Sequence, residues 1–169
     1  AVARIKAHQV ADELIHGTYW QNGKGCAVGC TVHSSNHCAY ETELGIPEEL
    51  AWLEDHFFEQ LSPEDAQTFP LQFLEAIPVG ADLVKVWPTF AVWLLLDRKH
   101  GVVNYAQGFP EVRAVIRHIG RLFAQRLQGK DVSSAAWSAA ESAAWSAAES
   151  VASAAWSAAE SVASAARSA

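Results

Sequence analysis

The chain closes on a segment, residues 131–169, that holds neither Gly nor Pro and is built from one repeated word. Ala-Ala-Trp-Ser-Ala-Ala-Glu-Ser stands at 135–142, again at 143–150, and once more at 154–161 after a Val-Ala-Ser insert. The period is eight residues once and then eleven, and such internal repetition constrains a fold more than any other sequence signal. Alanine has the highest intrinsic helix propensity and nothing here interrupts a helix, so the segment reads as one helix with Asp131 or Ser133 as its cap. At ~1.5 Å per residue it would reach roughly 55–60 Å. A compact body of residues 1–130 is narrower than that, so the helix must project or fold back through a break.

At about 100° per residue, Trp137, Trp145 and Trp156 fall near 0°, 80° and 100°. Most Ala, with Val151 and Val162, fill a smooth neighbouring arc, and Ser clusters on the far side. An eleven-residue period is close to three whole turns, so these faces barely drift after residue 145. A small-residue arc admits another backbone closely, and flanking indoles can lap over it. The expectation is self-association, or docking on a protein partner, through Trp137, Trp145, Val151, Trp156 and Val162. A simple-repeat tail that is helical but has no task is the competing reading. Ice-binding helices share Ala-rich eleven-residue periodicity, but that class presents Thr in register where this chain has Trp and Glu.

Residues 1–130 carry helix signals throughout. Ala3, Ala7, Val10 and Leu14 repeat at helical spacing and predict a helix over 2–16, stopped by Gly17. Asn22-Gly23 and Gly-x-Gly mark 18–25 as a loop. Residues 26–45 predict two short helices, although Val28, Thr31 and Val32 also suit a strand over 27–33. Pro47 followed by Glu48 and Glu49, and Ser62 followed by Pro63, Glu64 and Asp65, are helix starts. The first would bury Leu50, Leu53, Phe57 and Leu61; the second should break or restart at Pro70. Asp82 can cap a short helix up to Trp87, and Pro88 begins another. Its 90–96 block is apolar on every side, which predicts the central core helix. Pro110 opens a last amphipathic helix ending at Gly129.

The expected fold class is therefore all-α: a compact multi-helix globular domain, 1–130, with a long C-terminal Ala-rich helix, 131–169. The longest apolar run is far short of the ~20 residues a membrane span needs. The net charge of −7 makes nucleic acid and anionic membranes poor partners. No Lys or Arg occurs from Gly25 to Val84, a stretch with nine acids between Glu41 and Asp65, whereas Arg113, Arg117, Arg121, Arg126 and Lys130 cluster later. These read as solvated faces or a basic helix lying across acidic ones; the sharper alternative is two docking patches of opposite sign.

Reactive side chains concentrate in one place. Cys26, Cys30, His33 and His37 have the ligand types of a zinc site. All four come from twelve residues, so the chain would have to turn back between Cys30 and His33. Three clustered cysteines are no disulfide framework, and with no apolar leader at the N-terminus they read as a cytoplasmic chain. The bland reading makes the cysteines small core residues and His33, His37 and His56 ordinary half-buried histidines. Glu13-Leu14-Ile15-His16 is a Glu-x-x-His word that lacks the second copy a di-iron bundle needs.

Residues 19–26, Tyr-Trp-Gln-Asn-Gly-Lys-Gly-Cys, resemble papain-like peptidases, which implies Cys26 as nucleophile with Gln21 as an oxyanion donor. The family's aromatic is missing after Cys30, and for the later His and Asn only His100, Asn104 and His118 offer themselves. Residues 41–128, with Glu-Thr-Glu-Leu-Gly-Ile-Pro and Ile-Pro-Val-Gly-Ala-Asp-Leu, resemble uncharacterised bacterial or prophage proteins with Ala/Trp-rich tails, which implies a bacterial, cytoplasmic setting and no known activity. The functional expectation is a non-enzymatic structural or interaction protein without a cofactor. The alternative is a Cys/His-site protein, with structural zinc or cysteine hydrolase chemistry.

Overall fold

A computed structural model describes the backbone of residues 1–167 and the side chains through Ser157, Ala154 excepted. The fold is all-α: eight α-helices and one two-stranded sheet among the described residues. None of these helices is long and apolar enough to cross a membrane. The chain divides into two compact units, Ala1–Val84 and the residues from Lys85 onward. The boundary expected at residue 130 thus falls inside the second unit, because the Ala-rich helix packs on the helix before it.

The first unit holds α1 (Val2–Val10), β1 (Trp20–Gln21), β2 (Lys24–Gly25), α2 (Ala27–Val32), α3 (Cys38–Leu44), α4 (Glu48–Gln60) and α5 (Pro63–Glu75). Helix α1 ends six residues earlier than its periodicity predicts. Asp12 takes a left-handed φ of 54°, and the chain beyond it leaves the helix to pair with β2. There Ile15 N–H donates to the Gly25 carbonyl and Gly25 N–H to that of Glu13. Two backbone bonds to a neighbouring segment take the place of more than one further turn of helix. The loop expected at 18–25 is a hairpin. Asn22 and Gly23, both at positive φ, make the two-residue turn whose twist matches antiparallel strands.

Residues 27–33 are helical rather than extended. Gly25 and Gly29 explain why: a Cβ on either would lie 2.1 or 1.6 Å from the Tyr19 carbonyl oxygen. The hairpin therefore rests on the backbone of α2, which is buried along its whole length. Pro70 does not break α5. Its ring is fully buried on the same face as Ala66 and Leu74, and that packing offsets the missing hydrogen bond.

The second unit holds α6 (Val86–Leu96), a 3-10 turn (Val102–Asn104), α7 (Pro110–Leu127) and α8 (Ser134–Arg167). Pro88 lies in the first turn of α6, where its missing N–H costs nothing, so no break separates it from Trp87. Helix α6 is not the buried centre its composition predicts. Only Pro88 and Ala91 are buried, while Trp93 and Leu94 stay exposed, because its unit covers it chiefly with α7 and the 3-10 turn. At Gly120 the two helices approach so closely that a Cβ would meet the Leu96 side chain at 2.5 Å. A series of ring contacts runs from Trp93 through Phe90, Trp87 and Phe123 to Trp137, and so joins α6, α7 and α8.

Gly29→Ala should destabilise the first unit by about 3 kcal/mol, since a backbone carbonyl cannot yield as a side chain does. Gly108→Ala, with nothing within 4 Å of the new Cβ, should change stability by less than ~0.5 kcal/mol. Urea denaturation of the two variants checks this. Equal midpoints would mean that the hairpin does not rest on α2.

Candidate functional site

The cysteine–histidine segment folds around α2, and each of its four residues finds a different partner. Cys26 is the N-cap of α2 and accepts the Gly29 N–H at 3.5 Å. It is completely buried. Cys30, one turn on, points its thiol at the carbonyls of Gly25 (3.4 Å) and Glu13 (3.6 Å). His33 ends the helix in the left-handed region, with φ 53°, and turns towards α1. His37 opens α3 and stacks flat on Trp52 of α4, ring centres 3.7 Å apart, with the Tyr19 ring edge-on at 5.3 Å. Its Nε2 lies 3.4 Å from Asp55 Oδ2.

The structure does not bring Cys26, Cys30, His33 and His37 to one point. Among the described residues no group of three or more His, Cys, Asp or Glu side chains is placed to hold a metal ion. The reason is local: α2 stays helical through Cys30 and Val32, so the chain does not double back where a tetrahedral site would need it.

Neither buried thiol is set up as a nucleophile. Burial, with the Asp55 carboxylate adding to it, pushes the Cys26 thiol far above its ordinary value. Burial pushes Cys30 up to about 12, with Glu13 acting in the same direction. An activated cysteine needs the reverse shift and solvent access. Gln21 is exposed in the hairpin, and His100, Asn104 and His118 all belong to the second unit.

Two constellations emerge that the sequence does not single out. The first is interior. Helix α4 buries Leu50, Ala51, Glu54, Asp55 and Phe58, and leaves Phe57 exposed, so its inner face is rotated from the expected Leu50/Leu53/Phe57/Leu61 stripe. Two of the acids read as solvent-facing are thus inside. Glu54 is fully buried and accepts the Tyr40 hydroxyl proton at 2.5 Å. Burial pushes its carboxyl up to about 8; the Tyr40 bond opposes this and neighbouring Asp55 adds to it. The available signal was the want of Lys and Arg from Gly25 to Val84: a carboxylate buried there has no cation within its own stretch and must keep a proton.

The second constellation lies at the end of α2. Glu13 Oε2 is 2.6 Å from His8 Nδ1, and His8 Nε2 is 2.7 Å from His33 Nε2. Trp20 stacks on the His33 ring at 4.6 Å and meets His8 edge-on at 5.5 Å. With Glu13 ionised, its partner Nδ1 carries a proton, so the His8 Nε2 lone pair faces His33. Burial lowers the His33 ring, with Arg4 and His8 acting in the same direction.

The expected interaction residues of α8 separate into two groups. Ser133 caps the helix through Ala136 N–H at 3.2 Å. Ala140 and Ala147 are buried, and Trp137 packs on Phe123 at 4.8 Å. Val151 is half-buried and lines a groove of about 450 Å³ with Phe109, Val112 and Ile116. Trp145 and Trp156 are instead 66% and 70% exposed. The Val162 side chain lies outside the described residues. No family model, no curated protein and no solved structure matches the chain.

The Glu54 carboxyl holds its proton to about pH 8 in the fold, against 4.5 for an ordinary glutamate. The unfolded chain releases its proton first, so stability falls as pH rises from about 4.5 and levels off above about 8. Glu54→Gln keeps the shape of the neutral acid and should remove that slope. Between pH 5 and pH 8 the variant should gain on the parent by ~3 kcal/mol in urea denaturation. Parallel pH dependences would show that Glu54 is not a buried neutral acid.

Proposed function

We propose that this is a non-enzymatic interaction protein that associates with itself through the side of α8 turned away from α7. The observation that carries the reading is the exposure of Trp145 and Trp156. They stand eleven residues apart, within about 20° on the helix, whereas Ala140 and Ala147 face α7 roughly 140–180° away from them. Ala148 and Ala152 lie between the two rings and the groove that α8 forms with α7, so a second helix can approach closely along that edge. Removing an exposed indole from water contributes roughly 3–4 kcal/mol. Two symmetry-related copies would bury four. A Cys26-based hydrolase draws no support from a thiol without solvent exposure. A cytoplasmic setting fits the three unpaired thiols, Cys26, Cys30 and Cys38.

Because α8 also completes the packing of α7, the test is substitution rather than truncation. The full chain should show a dimer or larger assembly in light scattering at tens of micromolar. Trp145→Ala with Trp156→Ala should shift it to monomer with unchanged helical content. A monomeric parent, or a double variant of unchanged mass, would refute self-association.

A further inference from the structure

The paired imidazoles at the end of α2 have no part in the association proposed for α8, and their geometry has a chemical use of its own. We propose that His8 and His33 form a two-nitrogen binding site for a late first-row divalent cation of the zinc, copper or nickel type, with Glu13 orienting the inner histidine.

Four observations carry this. The first is convergence: the two Nε2 atoms face one another at 2.7 Å, although they come from different elements, α1 and the end of α2. Two neutral imidazoles can meet so only by sharing one proton between two lone pairs, and a cation can take the place of that proton. The second is Glu13, whose carboxylate 2.6 Å from His8 Nδ1 fixes the tautomer with Nε2 free. A carboxylate behind a histidine is the usual outer partner of a metal-bound imidazole. The third is rigidity: Trp20 stacks on His33 at an interplanar angle of 11° and closes on His8 from the side. The fourth is access, since His33 is exposed while His8 is buried, so an ion can enter and water can occupy its remaining positions.

The charges nearby are mixed, with Arg4 acting on His33 more strongly than either acid. Glu13 and Glu43 face the pair against one opposing guanidinium, Arg4. Arg4 is itself engaged, donating to the Thr31 carbonyl at 2.8 Å and lying 3.8 Å from Glu43. Imidazole nitrogen selects zinc, copper and nickel over magnesium and calcium, which take oxygen. At metal–nitrogen distances of ~2.0–2.1 Å a tetrahedral ion needs its two nitrogens about 3.3 Å apart. The pair must therefore open by roughly half an ångström, which a side-chain rotation of exposed His33 supplies. Cys30 does not contribute, because its thiol points at backbone carbonyls.

Titration calorimetry of the full chain with Zn²⁺ alone tests the site. The expected result is one ion per chain, with His33→Ala and His8→Ala each abolishing it. Glu13→Gln should weaken it ~10–100-fold, the usual effect of losing an outer partner. His33 is exposed, so His33→Ala should keep the parent's circular dichroism. Cys38, the exposed thiol, is the competing ligand; Cys38→Ser should bind as the parent does. In NMR the His8 and His33 ring resonances should shift on Zn²⁺ addition while that of His118 stays. No binding by the parent, binding retained in His33→Ala, or binding lost in Cys38→Ser would each overturn the proposal. None of these results depends on the oligomeric state.

Discussion

The first unit is organised by one close approach, the Tyr19 carbonyl against the bare backbone of Gly25, at the end of β2, and of Gly29, in α2. With the hairpin seated there, Cys26 N–H reaches the Thr18 carbonyl at 2.7 Å and Gly25 pairs with the segment after α1. The chain beyond Val10 is thereby drawn out of its helix, which brings Glu13 to His8, and Trp20 is laid over His33. Each member of the histidine pair thus owes its position to a contact in which no histidine takes part. Side chains with a Cβ at these two glycines would lift the hairpin and separate the groups it collects.

The same unit shows what a cation-free stretch does to buried acids. Glu54 and Asp55 face inward because α4 packs through its small and aromatic residues, Ala51 and Phe58, and the carboxylates lie on the same arc. No Lys or Arg of the 25–84 stretch is there to neutralise them, so Tyr40 and a retained proton serve Glu54, and Asp55 lies beside His37. Desolvation decides the outcome, since the hydrogen bond from Tyr40 favours the charged form and is outweighed. The thiols of Cys26 and Cys30 answer to the same burial, which raises both.

In the second unit one repeated word is put to two uses. The first tryptophan, Trp137, completes a run of aromatic rings across three helices, while Trp145 and Trp156 find no such neighbour among the described residues. The eight-residue first period is responsible. It turns Trp145 by ~80° from Trp137, and the later eleven-residue period then holds Trp156 beside Trp145. An unbroken eleven-residue register would have carried all three indoles onto nearly the same side.

Much of the architecture was legible in local signals. Ser62-Pro63 and Pro110 start helices, Gly129 ends one, Ser133 caps the last, and the Ala-rich repeat is helical through Arg167. These features need only a few neighbouring residues, so composition and spacing determine them. What a helix faces is decided by elements distant in the chain. Periodicity placed Phe57 inside and Glu54 outside, yet packing reversed them, and the apolar 90–96 block of α6 was left with Ala91 alone buried. The candidate site follows the same division: the sequence supplied the segment from Cys26 to Cys38, but the arrangement at His33 depends on His8 and Glu13, which lie outside it. A hydrogen bond between residues 25 positions apart has no local signature; the hairpin resting on two glycines creates it, and that contact exists only in the folded unit.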